Sequence, residues 1–401
     1  MKCQIILFCF ICLIGTVKAQ YKIDLMDEKV IAKAENEEPW GHFQFPTLSI
    51  SDDEFYVSWS MNEDNISNLG KGKTVRMMSS NEGKSWKPIT WDKSKEGVLL
   101  PNGCRIKLYT KPSVKLLDSI KEKSIGELKN SYSRRKVRFY YDKDLPPKYQ
   151  GAYLARNCNG KFQPYKVNIK DPDFIRYEQD GILPFVWWGN IIYDENSQIL
   201  YAAMSPSYYI EDGTVKPSGV IIYESSDFGI SWSKKGVIKY FVDPKKDKVK
   251  QAYSISDGFM EPSFLILKDG TFVCVVRSTN GFGNRPLYFT KSIDKGATWS
   301  KPKVIAKSGV MPKLVQLENG VIVLSTGRPG IQLYYSSDGG DSWSDKYIVL
   351  DDDKGTCGYT GLKSVSNNRF MLVYSDFTRK NSNNLDRKAI VSKTFSLIKE
   401  Y

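Results

Sequence analysis

Along most of the chain, apolar and polar residues alternate with a period of two in short runs, the pattern of strands with one buried face. Such runs cover Phe45 to Ile50, Glu54 to Ser60, Ile191 to Asp194, Ile199 to Met204, Ser263 to Leu267, Thr271 to Arg277, Leu314 to Leu317, Val321 to Thr326, Gly361 to Ser364 and Arg369 to Tyr374. Several are joined in pairs by turn sequences such as Lys268-Asp269-Gly270 and Glu318-Asn319-Gly320, which is hairpin chemistry. No stretch has a helical period longer than the one around Val114 to Lys129. The pattern predicts an all-β protein.

Between the strand pairs the chain repeats Ser-x-Asp-x-Gly-x-Ser/Thr-Trp at Ser79 to Trp86, Ser225 to Trp232, Ser292 to Trp299 and Ser336 to Trp343, with Asn81 replacing the Asp in the first copy. The Ser hydroxyl and the Asp carboxylate suit the backbone N–H groups of a tight turn. The Gly supplies a positive φ, and the Trp ring covers the turn. Successive boxes are 146, 67 and 44 residues apart. Gly151 to Val167 reads as a worn copy, its box eroded to the segment from Arg156 to Phe162.

Each unit therefore runs strand, turn, strand, loop, strand, box, strand, which is one blade of a propeller. Six units are readable, and seven if Leu99 to Leu117 forms one. The expectation is a six- or seven-bladed β-propeller of four-stranded antiparallel blades in a single domain over 20–401. Pairing of Glu28 to Lys33 with Ala389 to Ser396 should close the ring.

The first nineteen residues carry Lys2, an apolar run from Ile5 to Val17 and a small-residue site at Ala19, the layout of a secretory signal cleaved after Ala19. A secreted or periplasmic protein without a membrane span is expected, because no later run approaches the roughly 20 apolar residues of a spanning helix. Cys3, Cys9 and Cys12 leave with the signal, so Cys104, Cys158, Cys274 and Cys357 remain in an oxidising compartment. Cys274 lies in an apolar run and reads as a buried free thiol. No cysteine has metal-ligand spacing. The cluster Asp351, Asp352 and Asp353 lacks the alternate ligands of a calcium loop, and neither cofactor nor metal is expected.

The formal net charge of +13 falls to +11 without Lys2 and Lys18. The lysines are scattered through loops and no nucleic-acid-binding motif is present. An acidic oligosaccharide or polysaccharide is the partner that fits both charge and compartment, and a monomer is expected.

The boxes and the hairpins around them resemble the sialidase (neuraminidase) superfamily of Asp-box, or BNR-repeat, β-propellers over nearly the whole mature chain. A more specific likeness runs from Glu261 to Arg277 and on to Arg285. In sialidases a similar order pairs a Glu that activates a tyrosine nucleophile with an Arg that grips the substrate carboxylate. The resemblance assigns activator to Glu261 and clamp to Arg277. It makes Arg328, in Gly327 to Gly330, a later clamp arginine, and Tyr359, in Gly358 to Leu362, the nucleophile. Asp64, in the loop before the first box, stands for the acid. From the residues alone, Glu261 is equally a cap at the start of its strand, and Arg277 and Arg328 are equally members of structural ion pairs.

One departure changes the substrate implied. Where sialidases open the first blade with a clamp arginine, this chain has Gln44, within Phe43 to Pro46. An amide does not make the charge-assisted bidentate contact of a guanidinium. Two residues earlier stands the only histidine, His42, a side chain of the type that serves in proton transfer. The segment Trp40 to Pro46 resembles exported sialidase-like α-L-rhamnosidases that remove rhamnose capping glucuronic acid on arabinogalactan. They use a lone catalytic histidine on the propeller face opposite the usual sialidase site. That resemblance makes His42 catalytic with Gln44 contacting substrate; separately, of the adjacent Trp187 and Trp188 at an inner-strand entry one faces the core and the other, Trp188, can stack on a sugar ring. The function expected is a secreted exo-glycosidase on acidic glycans, an α-L-rhamnosidase, with exo-α-sialidase as the alternative. A rhamnose-glucuronate lyase with Tyr359 or Tyr253 as base, and a non-catalytic glycan-binding propeller, stay open.

Overall fold

The computed structural model describes residues 20–68, 71–115, 123–131, 133–185, 189–247, 254–279 and 285–400. The proposed signal segment lies outside them. Among the described residues the propeller strands form four four-stranded sheets and one eight-stranded sheet, in which two four-stranded blades are joined edge to edge where Gln163–Lys170 pairs in parallel with Ser231–Ile238, so six blades are read from the strand order. The first blade is His42–Ser51, Glu54–Met61, Thr74–Ser79 and Lys87–Pro88, numbered from the axis outward. The fourth and fifth have the same layout, from Phe259–Ile266 to Lys303–Ala306 and from Val310–Gln316 to Tyr347–Leu350.

The boxes tie the third and fourth strands of their blades as their composition requires. In the third blade the Ser225 hydroxyl donates to Asp227 and accepts from the Gly229 N–H (2.9 Å), while Asp227 accepts from the Ser231 N–H (2.9 Å). Gly229 has φ 83°, and the fully buried Trp232 donates its indole N–H back to the Gly229 carbonyl at 3.1 Å. Asn81 fills the carboxylate role by accepting from the Ser85 N–H at 2.9 Å.

The ring closes as expected, with Glu28 opposite Lys393 and Lys33 opposite Ala389. The ladder is longer than predicted, because Gln20–Lys33 pairs with Asp386–Glu400 from its first residue. The sixth blade is thus built from both ends of the described chain, and its closure buries Ile23, Leu397 and Phe395 in one cluster.

The region between the first two boxes differs from its sequence reading. Leu99 to Leu117 is not a blade of its own. Val98–Leu99 and Arg105–Leu108 are the inner strands of the second blade, and the worn copy supplies its outer strands, Ala152–Asn157 and Gln163–Lys170. A disulfide between Cys104 and Cys158 joins the two halves across 54 residues, and Cys274 and Cys357 are buried free thiols.

The intervening segment leaves the ring. Lys111–Lys115, Gly126–Lys129 and Lys136–Tyr141 form a five-stranded sheet with Ile175–Gln179 and Ile182–Phe185. The segment with the longest helical period therefore contributes strands at both of its ends. This inserted sheet packs on the third blade through Phe139 and Tyr208 (4.6 Å between ring centres). It also bonds the fourth blade where Asp257 accepts from the Ser131 N–H at 3.0 Å.

Candidate functional site

Three inner strands begin with the same local distortion. Phe45, Glu261 and Met311 each precede a proline and have φ of 54°, 53° and 40°. Each sits at a break in register, between Gln44 and Thr47, Met260 and Ser263, and Val310 and Lys313. A bulge re-aims a side chain, and a non-glycine residue at positive φ before proline is costly. Its recurrence at three blades marks this end of the ring as the place where side chains are turned off the regular pleat.

Glu261 is 7% exposed and accepts three hydrogen bonds from three blades. Its Oε1 takes one from Nη1 of Arg277 (3.0 Å) and one from the Tyr359 hydroxyl (3.3 Å), and Oε2 takes the Met311 N–H (2.7 Å). Arg277 reaches it because the residue pairs with Met260 across the first hairpin of the fourth blade. Tyr359 comes from the segment leading into the inner strand of the sixth blade, Thr360–Ser366. Burial raises the Tyr359 hydroxyl well above the ordinary phenol range, and the Glu261 charge adds to this; Arg277 and Arg328 oppose it.

Arg328 follows the second strand of the fifth blade, at φ 53°. Its Nε donates to the Cys357 carbonyl at 3.2 Å, and its guanidinium lies 5.2 Å from the centre of the Tyr359 ring. No carboxylate of the described residues ion-pairs with it, so this cation faces the tyrosine without a salt bridge. Arg277, by contrast, is both a site residue and a structural ion pair. Asp64 stands exposed on the loop after Glu54–Met61. The protein around it still withdraws enough water to raise its carboxyl above the ordinary value; Arg328 opposes that shift and Glu261 adds to it. Arg328 and Glu261 are thus the charged groups that act on Asp64.

Gln44 is fully buried, and neither its amide nitrogen nor its amide oxygen has a hydrogen-bond partner. Phe45, beside it, touches the Tyr359 ring at 4.8 Å. A buried amide without partners among the described residues costs about 1–3 kcal/mol. His42 is half-buried and its Nδ1 bonds Oε2 of Glu38 at 2.7 Å. It pairs with Met61, at the end of the strand that leads to Asp64. His42 therefore stands at the same end of the ring as Tyr359, not on the opposite face that the rhamnosidase likeness implies. Trp188 and Tyr253 lie outside the described residues.

Arg285, which follows the Glu261 to Arg277 hairpin, is largely buried. Its Nη2 bonds Asp247, a buried carboxylate, so it reads as structural. The Asp351 to Asp353 cluster lies in the connection from Tyr347–Leu350 of the fifth blade to Thr360–Ser366 of the sixth, not at a hairpin tip, and Asp352 accepts there from the Lys354 and Gly355 N–H groups at 2.9 Å. No group of three metal-ligating side chains occurs among the described residues, and no helix there is long and apolar enough to cross a membrane.

Two features were not read from the sequence. The inserted sheet walls one side of the site, from Lys111–Lys115 beside the turn Ile66–Asn68 of the Asp64 loop round to Asp257. Lys313 and Lys363, on the inner strands of the fifth and sixth blades, have no salt-bridge partner among the described residues. Burial pushes the Lys313 ammonium down to about 8, with Lys363 adding to the shift and Glu261 opposing it. Lysines at alternate inner-strand positions give no sequence signal of their own.

Residues 194–382 match the family described as BNR repeat-like domain. Among solved structures, a protein of unknown function from Dyadobacter fermentans superposes with a TM-score of 0.59 at 15% identity, covering 94% of this chain and 99% of that one. A Hadza microbial sialidase superposes with a TM-score of 0.50 at 14% identity, covering 89% of this chain and 65% of that one. No curated protein matches the chain. At these identities the likeness is one of fold, a sialidase-like β-propeller.

Proposed function

We propose that this sialidase-like BNR-repeat propeller is an exo-glycosidase that releases a terminal acidic sugar, with Tyr359 as nucleophile. The observation that carries the reading is the Tyr359 hydroxyl held on Glu261, itself held by Arg277, beside the unpaired cation of Arg328. Tyrosine attacks as its proton passes to a base, so the attacking group carries no net charge before reaction. That suits an anomeric centre next to a carboxylate, which a charged Asp or Glu nucleophile would repel.

In the first step the Tyr359 oxygen bonds the anomeric carbon, its proton passes to Glu261, and the departing glycosidic oxygen takes the proton of Asp64. In the second, water gives a proton to Asp64 and its oxygen to the anomeric carbon. The C–O bond to Tyr359 breaks and Glu261 returns the phenolic proton. Two displacements retain the configuration. Arg328 and Arg277 hold the sugar's carboxylate, and Gln44 supplies a neutral donor and acceptor in place of a third guanidinium. The inserted sheet closes one side of the site, which favours a chain end over an internal linkage.

A second reading, release of terminal L-rhamnose from glucuronic acid, is favoured by His42. Its Nδ1 contact to Glu38 leaves Nε2 for proton transfer. Product analysis on a sialylated glycan and on rhamnose-capped arabinogalactan separates the readings. The tyrosine mechanism expects sialic acid or another acidic sugar, lost in Tyr359→Phe and kept in His42→Ala. Rhamnose release lost in His42→Ala and kept in Tyr359→Phe overturns it, as does an unsaturated product absorbing in the ultraviolet. Binding without cleavage on either glycan identifies a glycan-binding propeller instead.

A further inference from the structure

The charge of the chain is concentrated in one segment. From Arg105 to Lys170 there are 17 lysines and arginines against 5 aspartates and glutamates, a net +12, whereas the rest of 20–401 carries 39 against 40, a net −1. Outside that segment the molecule is close to neutral, so its positive field arises from the second blade and the first strands of the inserted sheet. Part of the charge is spent internally. Arg105 bonds Asp52, Lys107 bonds Glu96, and in the inserted sheet Arg135 pairs with Asp180, Lys136 with Glu127 and Arg138 with Glu178.

A cavity of about 350 Å³ lies where the insert meets the second blade. One wall is the outermost strand of that blade, Gln163–Lys170, on which Lys166, Asn168 and Lys170 alternate with the inward Val167 and Ile169 and so share the exposed face. The turn Asp142–Asp144 brings Lys143 to the same cavity. Gly151, at φ 92°, lets the Lys166 stem lie across it, since a Cβ there would stand 2.4 Å from Lys166 Cε. The two carboxylates of the cavity are engaged from within. Asp142 accepts from Arg176 (2.9 Å) and the Gly151 N–H (2.8 Å), and the buried Asp171 accepts from the Tyr223 hydroxyl (2.8 Å) and the Asp173 N–H (3.1 Å). Lys143 lies over the Tyr141 ring at 5.0 Å, and neither it nor Lys166 nor Lys170 has a carboxylate partner among the described residues. The exposed charges around the cavity are Lys143, Lys148, Lys166 and Lys170 against Asp144 and Asp173.

We propose that this groove is a docking surface for the anionic chain of an acidic polysaccharide, built from none of the residues around Tyr359. An exposed ammonium contributes little by itself, so a row of them selects a ligand whose charge is repeated along its length. Between Lys166 and Lys170 the Asn168 amide offers hydrogen bonds to sugar hydroxyls. A ligand with a single carboxylate engages one of these lysines and gains little. The inserted sheet that carries the groove also walls one side of the candidate site, so one element serves both the end of a polymer and its body. The inference does not depend on which residue cleaves.

Calorimetric titration with polygalacturonate, a linear uronate polymer, tests the assignment by binding, with neutral dextran as the comparison. The wild type should bind polygalacturonate and not dextran, and about 1 M salt, which shortens the screening length to about 3 Å, should abolish the binding. The triple variant Lys143→Ala/Lys166→Ala/Lys170→Ala should bind about tenfold more weakly, the summed effect of three exposed contacts. A matched control, Lys295→Ala/Lys346→Ala/Lys354→Ala, removes three exposed lysines from the fourth and fifth blades and the connection that follows them. It should bind as the wild type does. Equal loss in both triple variants, no binding by the wild type, or equal binding of dextran overturns the proposal. Equal thermal midpoints establish that all three proteins are folded. Failure of the tyrosine mechanism is read separately, as cleavage of acidic glycans by Tyr359→Phe at the wild-type rate, whatever polygalacturonate does.

Discussion

Tyr359 and Glu261 lie 98 residues apart in sequence, yet the phenol of one donates to the carboxylate of the other at 3.3 Å. They meet because the fourth and sixth blades both turn a side chain inward at the start of the inner strand, and the fifth blade locks the pair through the Met311 N–H. The proposed nucleophile and its base are thus set by ring geometry.

Replacing Glu261 by Gln keeps the shape and removes the charge. Arg277 loses the ion pair on which its buried guanidinium rests, and breaking such a pair from one side costs about 3 kcal/mol. Denaturant unfolding should report that loss, and kcat should fall at least about 100-fold without its base. A variant with wild-type kcat would remove Glu261 from the chemistry.

Asp64 sets a pH dependence. Its carboxyl is raised in the folded protein, chiefly because the surrounding protein withdraws water from it, so the native state binds more protons than the unfolded chain. The stability this group contributes is present below the ordinary carboxyl range and is lost as pH rises through the raised pKa. As the acid it must be protonated, so kcat/KM should fall with rising pH over the same interval. Asp64→Asn should abolish that limb. It should also spare substrates with an acidic aryl leaving group far more than natural glycosides, because such a leaving group departs without a proton. An unchanged pH profile in Asp64→Asn would assign the acid elsewhere.

Gln44 carries opposite expectations for stability and function. Exchanging the unpartnered amide for an apolar side chain of similar volume, Gln44→Leu, should stabilise the free protein by about 1–2 kcal/mol. It should also weaken substrate binding about tenfold, since the two lost hydrogen bonds are made only in the complex. Thermal unfolding and KM measured side by side check both. A variant that is destabilised in the free state would show that Gln44 is already satisfied by the fold.

Lys313 is the reverse case of a charge held against burial. Its pKa is pushed down to about 8, so between there and its ordinary value the unfolded chain binds the extra proton and stability rises with pH. Lys313→Met should raise stability at pH 7 by about 1–3 kcal/mol. That gain should shrink as pH climbs above 8 and the native lysine becomes neutral. A gain independent of pH would point to packing in place of charge.

Local chemistry made much of the molecule legible. The boxes, whose Ser, Asp, Gly and Trp act within eight residues of one another, announced the hairpins they build. The two-residue alternation located the inner strands, and the match between the chain's ends announced ring closure. The Glu261 to Arg277 hairpin and the Tyr359 segment were singled out by their likeness to sialidases, and local pattern alone left their roles open. The second blade was misread because the inserted sheet separates its inner and outer strands, and no local pattern links Arg105–Leu108 to Ala152–Asn157.

What the sequence by itself determined, then, is the blade and its repetition, because hairpin registers and turns are fixed by neighbours along the chain. The tertiary structure alone decided which strand starts face the axis together, that His42 shares an end with Tyr359, and that among the described residues Gln44 is sealed without a partner and Arg328 has no salt bridge. Those properties depend on burial and on distances between blades. They exist only once the ring has closed and brought residues from opposite ends of the chain into one low-dielectric site.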